Sequence, residues 1–173
     1  GKGGDLIKGD NSFAGALAAA PGSDVAIGDQ GRVTFYGGLR TRVQAIDEAE
    51  TQGGIDTIEG NADRDIIIGG VQGDFLYGEA ALLSQIDDSG DDILLGDEGL
   101  LRWDVDGLTP EDLESLVLLQ TGDDADLANG DTLLSPRLGG VDEIWGNGGR
   151  DVAMGGTAGD FIYGDAGVGS ELD

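Results

Sequence analysis

The chain has 173 residues, and 35 acidic against 9 basic residues give it a formal net charge of −26. It contains no cysteine or histidine, which excludes disulfide bridges, thiol catalysis and metal sites built on these residues. Nucleic-acid binding is not expected, because few cations are available to neutralise phosphates. No apolar run reaches the roughly 18–20 residues that span a membrane. Self-repulsion opposes a compact state, so we expect metal cations to assist folding.

Five segments follow one another along the sequence. Repeats are predicted at 1–31, 53–99 and 139–173, separated by insertions at 32–52 and 100–138. Residues 53–80 and 139–166 share 16 identities over 28 aligned positions. An internal repeat of this kind is typical of a solenoid.

A shorter unit recurs inside these repeats, with an aspartate, an apolar residue U and a glycine at alternate positions (D-x-U-x-G). Glycine permits the tight turns of such a repeat, and x-U-x is typical of a very short strand whose central side chain points inwards. The nine units begin at Asp5, Asp24, Asp56, Asp65, Asp74, Asp92, Asp142, Asp151 and Asp160.

The first insertion is predicted to be a β-hairpin. Gly37–Gly38 separates two segments that contain apolar residues such as Val33 and Val43. A glycine pair between such segments is a signal for a tight turn.

The second insertion is predicted to contain a short helix over 110–119. Thr109 is a suitable N-cap and Pro110 suits the first helical position. A strand over 116–119 is the alternative.

The repeats resemble the RTX, or haemolysin-type, calcium-binding nonapeptide G-G-x-G-x-D-x-U-x. The resemblance covers about half of the chain and departs at the second glycine, which is often replaced by Asn or Asp. It implies an all-β fold, a parallel β-roll or β-solenoid of calcium-binding repeats, to which the residues of the insertions add the hairpin and the possible short helix. A disordered acidic linker and a solenoid with aspartate only for turn propensity are the alternatives.

The resemblance also implies that several Ca²⁺ ions lie between successive turns. Carboxylates stacked about 4.8 Å apart repel each other, and Ca²⁺ accepts about six to eight oxygens, including glycine carbonyls. Mg²⁺ suits such a site less well. The candidate ligands are Asp5, Asp10, Asp24, Asp29, Asp56, Asn61, Asp63, Asp65, Asp74, Asp92, Asp97, Asp142, Asn147, Asp151, Asp160 and Asp165.

In a roll with two nonapeptides per coil, aspartates 18 residues apart should stack. Residues that flank U, such as Phe75 and Tyr77, should form an outward apolar band that the insertions, another copy or another module would cover. Arg64 and Arg150 are expected to form salt bridges with nearby carboxylates. The expected ladders are Asp56–Asp74–Asp92 and Asp142–Asp160, with Asp65 and Asp151 on the opposite edge.

The resemblance implies a structural function, as a calcium-binding repeat module of an exported bacterial protein. The module would fold on Ca²⁺ binding and act as a stiff spacer, an adhesin stalk or an assembly surface. Type I secretion and an extracellular or cell-surface location follow from the same resemblance. Expected partners are Ca²⁺ and other copies or neighbouring modules.

Two further functions are alternatives. One is an accessory β-roll of a secreted hydrolase, protease or polysaccharide epimerase, and the other is a self-assembling filament or surface-layer subunit. We expect no enzymatic activity in this segment, because a Ser-His or Cys-His system needs residues that the chain lacks. Phosphate-binding glycine motifs are also missing from the sequence.

Overall fold

A computed structural model describes residues 3–9, 22–45, 53–79, 90–104, 116–121 and 139–164. All regular elements in these ranges are β-strands, which confirms the predicted all-β class. The strands are β1 (Leu6–Lys8), β2 (Val25–Ile27), β3 (Gly31–Tyr36), β4 (Leu39–Ala45), β5 (Thr57–Glu59), β6 (Ile66–Ile68), β7 (Phe75–Tyr77), β8 (Ile93–Leu95), β9 (Gly99–Trp103), β10 (Leu116–Thr121), β11 (Glu143–Trp145), β12 (Val152–Met154) and β13 (Phe161–Tyr163).

The nine x-U-x triplets form two parallel sheets. The first sheet has the order β1-β5-β7-β11-β13 and the second has the order β2-β6-β8-β12. Successive triplets alternate between the two sheets along the chain. The register aligns U with U, as in the pairs Ile58–Leu76 and Ile67–Leu94.

The U side chains fill the space between the two parallel sheets. Ile58, Leu76 and Ile144 of the first sheet pack with Ile67 and Leu94 of the second, and all five are 0% exposed. This packing confirms the predicted inward direction of U at these positions. Burying one such side chain contributes about 1.5–3 kcal/mol to stability.

Both insertions contribute strands to a third, antiparallel sheet of order β10-β9-β4-β3. The predicted hairpin is confirmed, because β3 and β4 pair across Gly37 and Gly38. These residues have φ of 61° and 88°, the positive values that a two-residue type I′ turn requires.

The helix predicted over 110–119 is wrong at 116–119, which form part of β10 and pair with β9. Residues 110–115 lie outside the described ranges. Leu116 and Leu119 pack against the core shared by the second and third sheets. Strand pairing together with this packing therefore outweighs the helix-start signal of the sequence.

The third sheet covers the outer face of the second sheet. Ile66, Ile68 and Leu95 point away from the U side chains and pack against Val43 and Trp103 of the third sheet. The prediction that the insertions cover the apolar band is therefore confirmed for this face.

The outer face of the first sheet is partly exposed and aromatic. Phe161 is 57% exposed and Phe75 is 38% exposed. Tyr77, Trp145 and Tyr163 stack in a row, with successive ring centroids 4.6 and 5.3 Å apart. The described strands therefore leave the two outer faces of the parallel sheets in different environments.

The connections between the two parallel sheets also differ in length. We call the segment from a strand-ending glycine to the next repeat aspartate a turn. Some turns lead from the first sheet to the second, and the others lead back to the first. Within each of these two sets, long and short turns alternate along the chain. The long turns are 9–24, 28–56, 78–92 and 96–142, and the short turns are 60–65, 69–74, 146–151 and 155–160.

Ile67→Ala tests the packing between the parallel sheets. We expect it to lower the free energy of unfolding by about 2–5 kcal/mol, because it leaves a cavity among residues that are fully buried. Urea unfolding at millimolar calcium, followed by circular dichroism, measures the loss. Ile55→Ala is the matched control, because Ile55 is 56% exposed. Equal effects of the two substitutions would contradict this core.

Candidate metal centre

The nine repeat aspartates form two hydrogen-bonded ladders. In each ladder, Oδ1 of one aspartate accepts the backbone N–H of the aspartate on the neighbouring strand. The first-sheet ladder is Asp5, Asp56, Asp74, Asp142 and Asp160, with N···Oδ1 distances of 2.6, 2.8, 2.7 and 3.1 Å. The second-sheet ladder is Asp24, Asp65, Asp92 and Asp151, with distances of 2.7, 2.8 and 3.1 Å.

The expected ladder of Asp56, Asp74 and Asp92 is wrong in its last member. Asp92 lies in the second-sheet ladder, whereas Asp142 follows Asp74 in the first. The reason is that the 18 residues from Asp74 to Asp92 contain one D-x-U-x-G unit rather than two, so that Asp92 starts the next triplet, β8, which belongs to the other sheet. Asp142 and Asp160 therefore extend the ladder of Asp56 and Asp74.

The second oxygen of these buried carboxylates is left without a hydrogen bond. Asp56, Asp74, Asp92 and Asp142 are at most 1% exposed, and within the described residues their Oδ2 atoms accept no hydrogen bond. A buried acceptor without a partner is costly, and more so when it is charged. Each of these four oxygen atoms would be satisfied by a bound cation or by a hydrogen-bond donor.

Each of these oxygens faces a glycine that ends a strand. A Cβ on Gly69 would collide with Asp74 Oδ2 and with the carbonyl oxygen of Gly96. A Cβ on Gly78 would likewise collide with Asp92 Oδ2. Carboxylate and carbonyl oxygens thus converge where a side chain is missing, and this donor set is the one that Ca²⁺ prefers.

Burial makes these carboxyl groups resist ionisation. It raises the pKa of Asp74 and of Asp92 to about 8, and that of Asp142 to about 7. Neighbouring carboxylates add to the rise, as Asp142 and Asp56 do at Asp74, while the ladder hydrogen bond opposes it. A cation beside Oδ2 would favour the ionised form.

The other candidate ligands lie in the turns. Asn61, Asp63 and Asn147 adopt φ of 76°, 73° and 70°, left-handed conformations that Asn and Asp tolerate better than most residues. None of the three belongs to either ladder. Asp10 and Asp165 lie outside the described residues.

Asp29 and Asp97 follow strand-ending glycines, and each accepts a backbone N–H from a neighbouring turn. Asp97 also accepts the N–H of Gly140. Glu79 was not predicted as a site residue, although it follows Gly78 at the same position of the repeat. It is buried, and its Oε1 accepts the N–H of Gly148 at 3.2 Å. An acidic residue directly after the strand-ending glycine, whether Asp or Glu, is the sequence feature that could have identified Glu79.

The salt bridge expected for Arg150 is confirmed. Its guanidinium contacts the Asp91 carboxylate at 2.6 Å, and its backbone N–H donates to the same carboxylate at 2.9 Å. These hydrogen bonds hold the pKa of Asp91 below its ordinary value. The pair is exposed at Arg150, so it contributes little to stability.

In the described parts of the chain, no three acidic side chains gather into a metal-binding group. A cation at a ladder aspartate would therefore depend on peptide carbonyls for many of its ligands.

Comparisons with models of known families, with curated proteins and with solved structures found no match. The same ranges contain no helix that is long and apolar enough to cross a membrane.

Gly69→Ala tests the space beside Asp74. We expect a loss of stability of at least about 1 kcal/mol, because the new Cβ meets an aspartate oxygen and a peptide carbonyl. Thermal unfolding followed by circular dichroism measures it. Gly159→Ala is the control, since a Cβ there would meet no atom within 4 Å. Identical melting of the two variants would contradict the arrangement.

Acidification tests the raised pKa values. Unfolded aspartates titrate near 3.9, whereas Asp74 and Asp92 titrate at about 8 in the fold. At pH values between about 3.9 and 8, these aspartates therefore take up protons when the chain folds, and the stability that this provides is lost as the pH rises through about 8. In EDTA we expect more β-structure by circular dichroism at pH 5.5 than at pH 8.5.

Asp74→Asn should weaken this dependence, because the amide does not titrate, whereas exposed Asp104→Asn should leave it nearly unchanged. A β signal in EDTA that is constant or falls on acidification would contradict the assignment.

Proposed function

We propose that this chain is a calcium-binding structural module of an exported bacterial protein, and that its parallel sheets are the walls of a β-roll. The observation that carries the proposal is the set of buried Oδ2 atoms that face glycine carbonyls between neighbouring turns. The repeat's resemblance to the RTX nonapeptide supports it independently. The proposed location is extracellular or at the cell surface.

The chemistry of the site favours Ca²⁺ over other cations. The two polar atoms that a Cβ on Gly69 would meet are oxygens, Asp74 Oδ2 and the Gly96 carbonyl, and the chain has neither histidine nor cysteine for a softer metal. Ca²⁺ accepts a flexible mixture of carboxylates and carbonyls at about 2.3–2.6 Å. Mg²⁺ requires a tighter octahedral shell and retains its water.

The charge of the chain links binding to folding. Stacking the repeat aspartates brings carboxylates together in a buried setting, and a net charge of −26 opposes compaction. Calcium that binds only the stacked form stabilises that form by mass action. The module therefore remains extended at low cytosolic calcium and becomes a stiff rod at the millimolar concentrations outside the cell.

The exposed aromatic face supports an assembly surface as a second role of the same module. Phe75, Phe161 and Tyr163 are each more than a third exposed on one side of the first sheet. An apolar row of this kind is a site for lateral contact with another copy or module. Light scattering in calcium tests it, since a chain that stays monomeric at high concentration would count against assembly.

Circular dichroism tests the proposed function directly. We expect little ordered structure in EGTA at neutral pH, a gain of β signal with millimolar Ca²⁺, and a much smaller gain with Mg²⁺. Asp74→Asn should raise the calcium concentration at half transition by about tenfold, because it removes a charged ligand but keeps the Oδ1 acceptor of the ladder.

Asp104→Asn is the matched control, because it removes the same charge from an exposed position. A spectrum that is ordered in EGTA at neutral pH and insensitive to calcium would overturn the proposal. A similar response of the two variants would exclude Asp74 as a ligand.

A further inference from the structure

Acidic residues mark the start of the long turns. In the described ranges, the residue after the strand-ending glycine is Asp29, Glu79 or Asp97 wherever a long turn begins. The short turns have glycine or asparagine at the same position, for example Gly70 and Gly156. The type of residue at this position therefore follows the length of the turn.

Each of these acids contacts the short turn stacked next to it. Asp29 Oδ2 accepts the N–H of Val71 at 2.8 Å. Asp97 Oδ2 accepts the N–H of Thr157 at 2.5 Å and its hydroxyl at 2.9 Å. Glu79 makes the equivalent contact with Gly148 in the turn 146–151.

Two of the acids also contact the far end of their own long turn. Asp97 Oδ1 accepts the N–H of Gly140 at 3.0 Å, so one carboxylate joins the two ends of the turn 96–142. At the end of the turn 28–56, Gly53 lies against Asp29, because a Cβ on Gly53 would meet Asp29 Oδ2. The place where the chain leaves the sheets is thereby fixed to the place where it returns.

The short turns are shaped to receive these carboxylates. Gly70 and Gly156 have φ of 120° and 112°, and a Cβ on either would collide with Asp29 or Asp97 respectively. Successive peptide N–H groups in such a turn make a concave site for an anion. The carboxylate of the long turn therefore occupies the space that the glycine of the adjacent short turn leaves open.

We propose that Asp29, Glu79 and Asp97 are clamps that fix the start of their long turns to the adjacent short turn through carboxylate–amide hydrogen bonds. At Asp97, both of whose oxygens accept N–H groups, the clamp needs no cation, and this role differs from the ligand role expected for Asp97 from the sequence. It explains how insertions of such different lengths are tolerated, since one carboxylate restores the contact between turns. The clamps do not depend on the proposed calcium binding.

Asp97→Asn tests the clamp at the longest turn. Both carboxylate oxygens of Asp97 accept N–H groups, so an amide must direct its NH₂ at one of these donors. We expect the urea midpoint at saturating calcium to fall by about 1 M relative to Asp104→Asn. We expect calorimetric titration to give the wild-type number of bound Ca²⁺ ions.

The urea midpoint and the number of bound Ca²⁺ ions together distinguish a clamp from a calcium ligand. An unchanged midpoint, or one fewer ion bound, would overturn the clamp. If the wild-type chain binds no calcium, the proposed function fails, and the urea comparison without calcium still tests the clamp. If Asp97→Asn does not fold, Thr157→Val removes only the hydroxyl contact, and its midpoint must fall below that of the wild type for the clamp to stand.

Discussion

The hydrogen bond from the backbone N–H of one repeat aspartate to Oδ1 of the aspartate on the neighbouring strand is the constraint on which the rest of the fold depends. It holds one carboxylate oxygen of Asp74 against the Asp56 N–H at 2.8 Å, and so fixes the spacing of successive carboxylates. It also leaves the second oxygen buried beside a glycine. The interaction that aligns the strands therefore also creates their electrostatic problem.

That arrangement explains why a glycine ends the strand before each of these aspartates, whether the turn between them is long or short. Removing the side chain at Gly69 leaves space for the Asp74 oxygen and for the carbonyl of Gly96. A neutral residue in place of Asp74 would solve the charge problem but give up a site for a hard cation. A buried carboxylate of this kind is thus a poor choice for stability alone and a reasonable choice for a chain that binds metal.

The sequence predicts the local structure well because each repeat carries its own signals. The D-x-U-x-G period fixes the triplet strands and the inward side chains, and Gly37–Gly38 fixes the hairpin. The predicted stacking of aspartates fails where a long turn intervenes, because a count of 18 residues from Asp74 to Asp92 assumes two regular nonapeptides. The helix-start signal at Thr109 and Pro110 also misleads over 116–119, where pairing with β9 decides the structure. Glu79 could have been found from its position after Gly78, but its hydrogen-bond partner Gly148 lies in another repeat and is not evident from the sequence.

The different outer faces of the two parallel sheets have an experimental consequence, since the chain's two tryptophans lie on opposite faces. Trp103 is buried between the second and third sheets, with the Arg40 guanidinium 5.6 Å from its ring centroid. Trp145 stacks between Tyr77 and Tyr163 on the other side. The emission of Trp103 therefore reports the docking of the insertions, and that of Trp145 reports the alignment of three distant repeats. Single-tryptophan variants would show whether these layers assemble together or in sequence.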